Sequence, residues 1–107
     1  MLDRNALIDD IRALMQAPLD GSLAPNLEAI ERTLTDGYAH ALALEAERLQ
    51  LERRLGRVAD EFGADPQGLV EEIVQLSRAL KDTDLDLAEL RSLLGSLRSR
   101  ADAVRAA

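Results

Sequence analysis

The sequence predicts an all-α fold in which a short N-terminal helix precedes a long antiparallel two-helix coiled-coil hairpin. Three observations support this prediction: a helix-forming composition, two hydrophobic repeats spaced alternately by three and four residues, and a Gly/Pro-containing turn between the repeats. Apolar residues with this spacing form the seam along which helices wrap around each other. We further expect the hairpin to complete a helical bundle by oligomerisation.

The composition favours long helices in a single domain over residues 1–107. Ala, Leu, Glu and Arg dominate, whereas the chain has no Cys, no Trp, one Phe and one Tyr. Twenty acidic against thirteen basic side chains give a net charge of -7, which opposes binding to phosphates, so nucleic acid is not an expected partner. Because no cysteine pattern points to an oxidising compartment, we expect a cytoplasmic protein.

The first helix is predicted over about residues 3–16. Charged residues interrupt any continuous apolar run there, so this segment is predicted to be neither a signal peptide nor a membrane span. Residues 17–25 contain two prolines and a glycine and form the predicted linker, with Pro25 as the first residue of the next helix. The apolar positions of the first helix recur with helical spacing and are Leu7, Ile8, Ile11, Leu14 and Met15.

The two long helices are predicted over about residues 26–62 and 66–105, joined by a turn at 63–68. Gly37 and Gly56 interrupt the first of them, but a single glycine costs only about 1 kcal/mol and does not end a helix. In the turn, a glycine, a capping aspartate and a proline follow one another, which is typical of a helix end next to a helix start. So short a turn makes the two helices antiparallel neighbours.

The predicted seam passes through both long helices without a change of phase, including the polar stretch 81–86, so we expect the last helix to be continuous. If Phe62 faces Leu69, strict spacing pairs Gly37 with Leu94. The first repeat is Leu27, Ile30, Leu34, Gly37, Ala41, Leu44, Arg48, Leu51, Leu55, Val58 and Phe62. The second repeat is Leu69, Ile73, Leu76, Leu80, Thr83, Leu87, Leu90, Leu94, Leu97, Ala101 and Val104.

Arg48 and Thr83 fall in the same layer of the seam and form its polar layer. A lone polar layer sets register and partner choice at some cost in stability. We expect Arg48 to extend to a neighbouring carboxylate; the alternatives are a docking site for a basic partner and a divalent-cation site, although no EF-hand spacing is present and no metal or cofactor is predicted. The acids around this layer, named the acidic waist, are Glu45, Glu47, Asp82, Asp84 and Asp86.

A second set of apolar residues lies beside the seam, where a two-helix hairpin leaves them in water. The first helix is expected to reach Tyr38 and Leu42 more easily than the others. We therefore expect a second copy to cover the rest, in a homodimer or a higher helical bundle. The members of this predicted apolar flank are Tyr38, Leu42, Leu49, Val70 and Val74.

Two further features have simpler interpretations. His40 and Asp36 are too few ligands for a zinc or di-iron site, so His40 is predicted to be a surface residue beside the seam. Basic residues near the last helix end compensate its dipole, with Glu31 expected to pair with Arg98; a phosphate-contacting tail is the alternative. These basic residues are Arg91, Arg98, Arg100 and Arg105.

No combination of nucleophile, general base or metal ligands is visible in the sequence, so no enzymatic activity is predicted. The fold predicts a non-enzymatic coiled-coil interaction or scaffold module that self-associates, docks a protein partner, or does both. The alternative is a small helical chaperone or escort that binds an amphipathic helix of a client protein.

Overall fold

The computed structural model describes residues 4–16, 23–61 and 66–106. Helix α1 spans Arg4–Gln16, α2 spans Leu23–Asp60 and α3 spans Pro66–Ala106. No strand occurs among these residues, and α2 and α3 pack against each other. The all-α hairpin predicted from the sequence is confirmed.

The helix α2 begins at Leu23, a few residues before its predicted start, so Pro25 is its third residue rather than its first. The first four N–H groups of a helix have no acceptor within the helix, and proline therefore loses no hydrogen bond at this position. At the other end of α2, the Glu61 amide donates to the carbonyls of Arg57 and Val58 at 3.2 Å. Phe62 and the first part of the predicted turn at 63–68 lie outside the described residues.

Both long helices are continuous. Helix α2 passes through Gly37 and Gly56, and α3 passes through the polar stretch 81–86 without a break, as the unbroken phase of the repeats predicted. Each repeat keeps one face of its helix against the other helix, and tertiary packing of this kind outweighs the weak helix propensity of single residues.

The seam residues are those that the structure removes from solvent. Every described member of the two repeats is buried or half-buried, including Thr83, which is 6% exposed. The most completely buried members are Ile30, Leu87, Leu90, Leu97 and Ala101.

The chain forms two compact units. The first comprises Met1–Leu42 with Glu89–Ala107, and in it α1 packs as a third helix beside parts of α2 and α3. Along α2 in this unit, Glu31 pairs with Arg105 whereas Gly37 lies against Leu94. The partner on α3 thus moves backward as α2 advances, which makes the two helices antiparallel, and Gly37 meets the residue that the repeat predicted.

In the second unit, Ala43–Ala88, the described residues belong to α2 and α3 and to the end of α2 at Glu61. Arg48 pairs with Asp84, and Arg54 further along α2 pairs with Glu72, so the helices are antiparallel here too. Their apolar contact is the continuation of the predicted seam. Its residues near the turn are Leu51, Leu55, Val58, Leu69, Ile73 and Leu76.

Candidate interaction surfaces

At the polar layer of the seam, Arg48 forms ion pairs with neighbouring carboxylates instead of being buried between the helices. Arg48 Nε lies 2.9 Å from Asp84 Oδ1 and 3.3 Å from Glu52 Oε1, at ion-pair distance from both but without the N–H direction of a hydrogen bond. The Arg48 side chain is 43% exposed. It therefore extends out of the seam to neighbouring carboxylates, as expected, while Thr83 stays inside.

These contacts of Arg48 identify one side of the second unit. Since Arg48 contacts Glu52 on α2 and Asp84 on α3, both carboxylates lie on the same side of the seam. Glu45 precedes Glu52 by one heptad, and Val70 precedes Asp84 by two, so they share this side. We call it the Arg48 flank. Its apolar members are 42–52% exposed and are Leu49, Val70 and Val74.

The opposite side of the same unit is identified by Arg54 and Glu72, whose Nη2 and Oε1 atoms are 3.9 Å apart across the two helices. Arg54 follows Glu52 by two residues, which turns it about 200° around the helix, away from the Arg48 flank. Glu47 lies one heptad before Arg54, and Asp86 lies two heptads after Glu72. We call this side the Arg54 flank.

The structure divides the acidic waist between the two flanks. Glu45 and Asp84 lie on the Arg48 flank, whereas Glu47, Asp82 and Asp86 lie on the Arg54 flank. The reason is helical geometry: Asp82 and Asp86, four residues apart, share a face, and Asp84 between them points away. Within the described part of the chain, no group of three or more His, Asp or Glu side chains is placed to hold a metal ion.

An open groove lies along the Arg54 flank. Two seam residues, the half-buried Leu51 and the buried Leu76, line it, and the small side chain of Ala79 leaves it unfilled. Glu72 and Gln75 form its α3 edge. A second, smaller concavity lies beyond the Arg54–Glu72 pair and is lined by Arg54, Arg57, Val58, Glu61 and Glu72.

The two flanks also differ in charge. Residues 43–88 hold eleven acidic and six basic side chains and so carry -5 of the net charge of -7. On the Arg48 flank, Arg48 and Lys81 nearly balance the acids. On the Arg54 flank, Arg54 lines the groove together with Ala79. The charged residues of this flank beyond Ala79, away from the turn, are all acidic: Glu47, Asp82 and Asp86.

In the first unit, α1 shows how this hairpin holds a third helix. Leu7 and Ile11 are 0% exposed. Arg4 Nη2 donates a 3.0 Å hydrogen bond to Glu89 Oε2, and Arg12 Nη2 lies 3.5 Å from the other oxygen of the same carboxylate. The Glu89 carboxylate on α3 thus pairs with two arginines of α1, one before and one after its buried apolar residues in the sequence.

The position of α1 differs from the expected one. Tyr38 and Leu42 remain 47% and 67% exposed, so α1 does not cover them. Tyr38 lies one heptad after Glu31, on the side where Glu31 pairs with Arg105. Glu89, which binds α1, precedes Arg105 by sixteen residues, which places it roughly on the opposite side of α3. Helix α1 therefore packs against the other side of the hairpin.

Near the end of α3, Arg105 rather than Arg98 pairs with Glu31. Arg105 Nη2 donates to Glu31 Oε1 at 2.7 Å, and its Nη1 donates to Asp102 at 3.2 Å. Arg98 and Arg105 occupy the same heptad position, so sequence spacing alone does not choose between them. The hydrogen bond with Glu31 raises the pKa of Arg105 above its ordinary value, and the guanidinium remains charged.

His40 is less exposed than predicted. It is half-buried, and its Nε2 is buried without a hydrogen-bond partner among the described residues. It follows Tyr38 by two residues and so faces the side on which α1 lies.

Comparison with known proteins gives no relative from which a function would follow: no family model, no curated protein and no solved structure matches the chain. None of the described helices combines the length and the apolar run needed to cross a membrane.

Two features of these surfaces were not predicted from the sequence. One is the attachment of α1 to Glu89 through Arg4 and Arg12. The eight-residue spacing of these arginines around an apolar stripe could have predicted that both pair with an acid of the hairpin. The other is the groove beside Ala79, a small residue next to the seam. Leu85 belongs to neither repeat, and its side chain is 60% exposed.

Proposed function

We propose that the protein is a non-enzymatic coiled-coil interaction module that self-associates through the Arg48 flank. The observation that carries this proposal is the exposure of Leu49, Val70 and Val74 on one side of the second unit, at 46%, 52% and 42%. Large apolar side chains left exposed on one side of a helix pair are costly in water and indicate an interaction surface. The near balance of charge on this flank lets two copies approach without strong repulsion.

A two-fold contact suits such a surface, because each copy offers the same patch and cyclic dimers are the commonest oligomers. Tyr38 and Leu42 are further exposed apolar residues, in the first unit, that a partner would cover. We propose a homodimer or a larger helical bundle, without nucleic acid or membrane as a partner, in the cytoplasm. The net charge of -7 and the cysteine-free sequence support these last assignments.

Light scattering coupled to size-exclusion chromatography tests this proposal. The wild type is expected to have a mass of at least twice the 11.7 kDa of one chain, and Leu49→Lys is expected to shift it toward the monomer because the charge would be buried in the contact. Leu85→Lys is the matched control. Leu85 has the same side chain as Leu49 and is also exposed, at 60%, but it lies outside the Arg48 flank. A dimer that Leu85→Lys disrupts and Leu49→Lys does not would contradict the proposal.

The alternative function is that of a small helical chaperone or escort for an amphipathic client helix. The same exposed residues support it, because an escort needs apolar surface that is open in the free protein. A wild type that stays monomeric at all concentrations and binds an environment-sensitive apolar dye, with Leu49→Lys lowering the dye signal, would favour this alternative over self-association.

A further inference from the structure

We propose that the groove on the Arg54 flank binds a basic amphipathic helix of another protein. This inference extends the proposed interaction module to a second surface and a second kind of partner. It rests on the proposed function only in that both assign the chain the role of an interaction module. The two surfaces are otherwise independent, because they lie on opposite sides of the second unit.

The shape of the groove suits a helix. Leu51 and Leu76 offer apolar surface beside the small Ala79, and the half-buried Leu51 has area left to bury. Small residues at such a position allow close approach of a third helix, whose apolar side chains fill the space that Ala79 leaves. Arg54 and Glu72 both line the groove, and their side chains are 3.9 Å apart. This pair is solvent-exposed, so rearranging it costs little.

The charge of the groove selects the kind of helix. The charged residues that line it are Arg54, Glu71 and Glu72, a net charge of -1. Beyond Ala79 the same flank carries three further acids, Glu47, Asp82 and Asp86. Because residues 43–88 carry -5, a second copy docking here would bring like charges together, whereas a helix with Lys or Arg beside its apolar stripe would be attracted.

The chain itself contains a smaller version of such an arrangement. In the first unit, α1 buries Leu7 and Ile11 and directs Arg4 and Arg12 to Glu89. Asp82 precedes Glu89 by one heptad and so holds the same position in the repeat of α3. Asp82 could therefore receive a basic residue of a partner helix on the second unit in the way that Glu89 receives the arginines of α1.

Fluorescence anisotropy with a labelled synthetic peptide tests this inference. The probe has the sequence of residues 4–16 with Asp9→Lys and Asp10→Lys, which keeps the apolar stripe of α1 and adds basic charge; a second peptide with the original aspartates is compared with it. The probe is expected to bind the full chain at least tenfold more tightly than the second peptide, and less tightly as salt is raised.

Two protein variants locate the binding. Ala79→Arg fills the groove and is expected to weaken probe binding at least tenfold. Leu85→Arg makes the same change of charge six residues away, at an exposed position of α3 outside both flanks, and is expected to weaken it less than threefold. Circular dichroism confirms that each variant is helical; if Ala79→Arg does not fold, Asp82→Lys replaces it, with Asp60→Lys as its control.

Three results would overturn the inference. These are no binding of the probe, equal effects of Ala79→Arg and Leu85→Arg, and a change from dimer to monomer caused by Ala79→Arg, which would make the occupant a second copy. None of these results alters the effect of Leu49→Lys on the mass of the wild type. The failure of this inference is therefore distinguishable from the failure of the proposed self-association.

Discussion

Gly37 is a residue at which helix propensity and seam packing make opposite demands. Alanine favours a helix over glycine by about 1 kcal/mol. A Cβ at Gly37, however, would overlap Leu94 Cδ2, and Leu94 is only 2% exposed and cannot move into solvent. Overpacking a buried contact costs about 1–3 kcal/mol, and the gain in helix propensity offsets about 1 kcal/mol of this cost. We therefore expect Gly37→Ala to lower the free energy of unfolding by up to about 2 kcal/mol.

Gly95→Ala is the control for this substitution. A Cβ at Gly95 meets nothing within 4 Å, so the helix propensity term alone applies and the variant is expected to gain up to about 1 kcal/mol. Urea unfolding followed by circular dichroism measures both variants. A gain in stability for Gly37→Ala equal to that of Gly95→Ala would mean that Gly37 and Leu94 are not in the same layer.

At this scale, the repeats predicted the contacts of residues in the seam but not of those beside it. The layer of Gly37 and Leu94 followed from the three-and-four spacing, because seam positions have one geometry. Glu31 had two candidate partners one heptad apart, Arg98 and Arg105, and long flexible side chains reach either. The choice depends on local contacts, here with Asp102, that spacing does not encode.

Helix α1 illustrates at the scale of an element which forces hold a third helix to the hairpin. Ile11 is 0% exposed, whereas the Glu89 side chain that receives Arg4 and Arg12 is 42% exposed. Buried apolar side chains contribute about 2–5 kcal/mol on truncation to alanine, and exposed ion pairs about 1 kcal/mol or less. Burial therefore dominates the attachment of α1.

We accordingly expect Ile11→Ala to increase hydrogen exchange throughout residues 4–16 and to lower the free energy of unfolding by about 2–4 kcal/mol. Glu89→Gln is expected to change that free energy by about 1 kcal/mol or less. Hydrogen-exchange mass spectrometry and urea unfolding measure these effects. A larger loss for Glu89→Gln than for Ile11→Ala would show that the ion pairs, and not apolar burial, hold α1.

The side of the hairpin on which α1 packs was not predictable from its apolar stripe. The stripe shows that the helix needs a partner surface, and both sides of the seam present apolar residues. The side on which α1 lies carries Glu89, a single acid that receives Arg4 and Arg12 together, and the apolar stripe does not encode this contact. The division of the acidic waist, by contrast, follows from the 3.6-residue turn and could have been predicted from the numbering of Asp82, Asp84 and Asp86.

At the scale of the whole molecule, charge and apolar surface are distributed unevenly along the sequence. Residues 43–88 carry -5 of the net charge of -7, and their described part contributes only α2 and α3 to the fold. Within them, the Arg48 flank presents apolar residues with nearly balanced charge. The Arg54 flank presents a groove lined by Arg54, Glu71 and Glu72, with further acids beyond it. The phase of the two repeats produces this separation, because it sets which residues stand on each side of the seam.

The register of α2 against α3 in the second unit is therefore the claim on which both proposed surfaces depend. Since the chain contains no cysteine, an introduced pair reports the register directly by disulfide formation, which requires Cα atoms about 4–7 Å apart. We expect Leu55→Cys with Leu76→Cys to form an intrachain disulfide readily on mild oxidation. Leu55→Cys with Leu69→Cys, displaced by one heptad or about 10 Å, is expected to form little; a higher yield for this second pair would contradict the register.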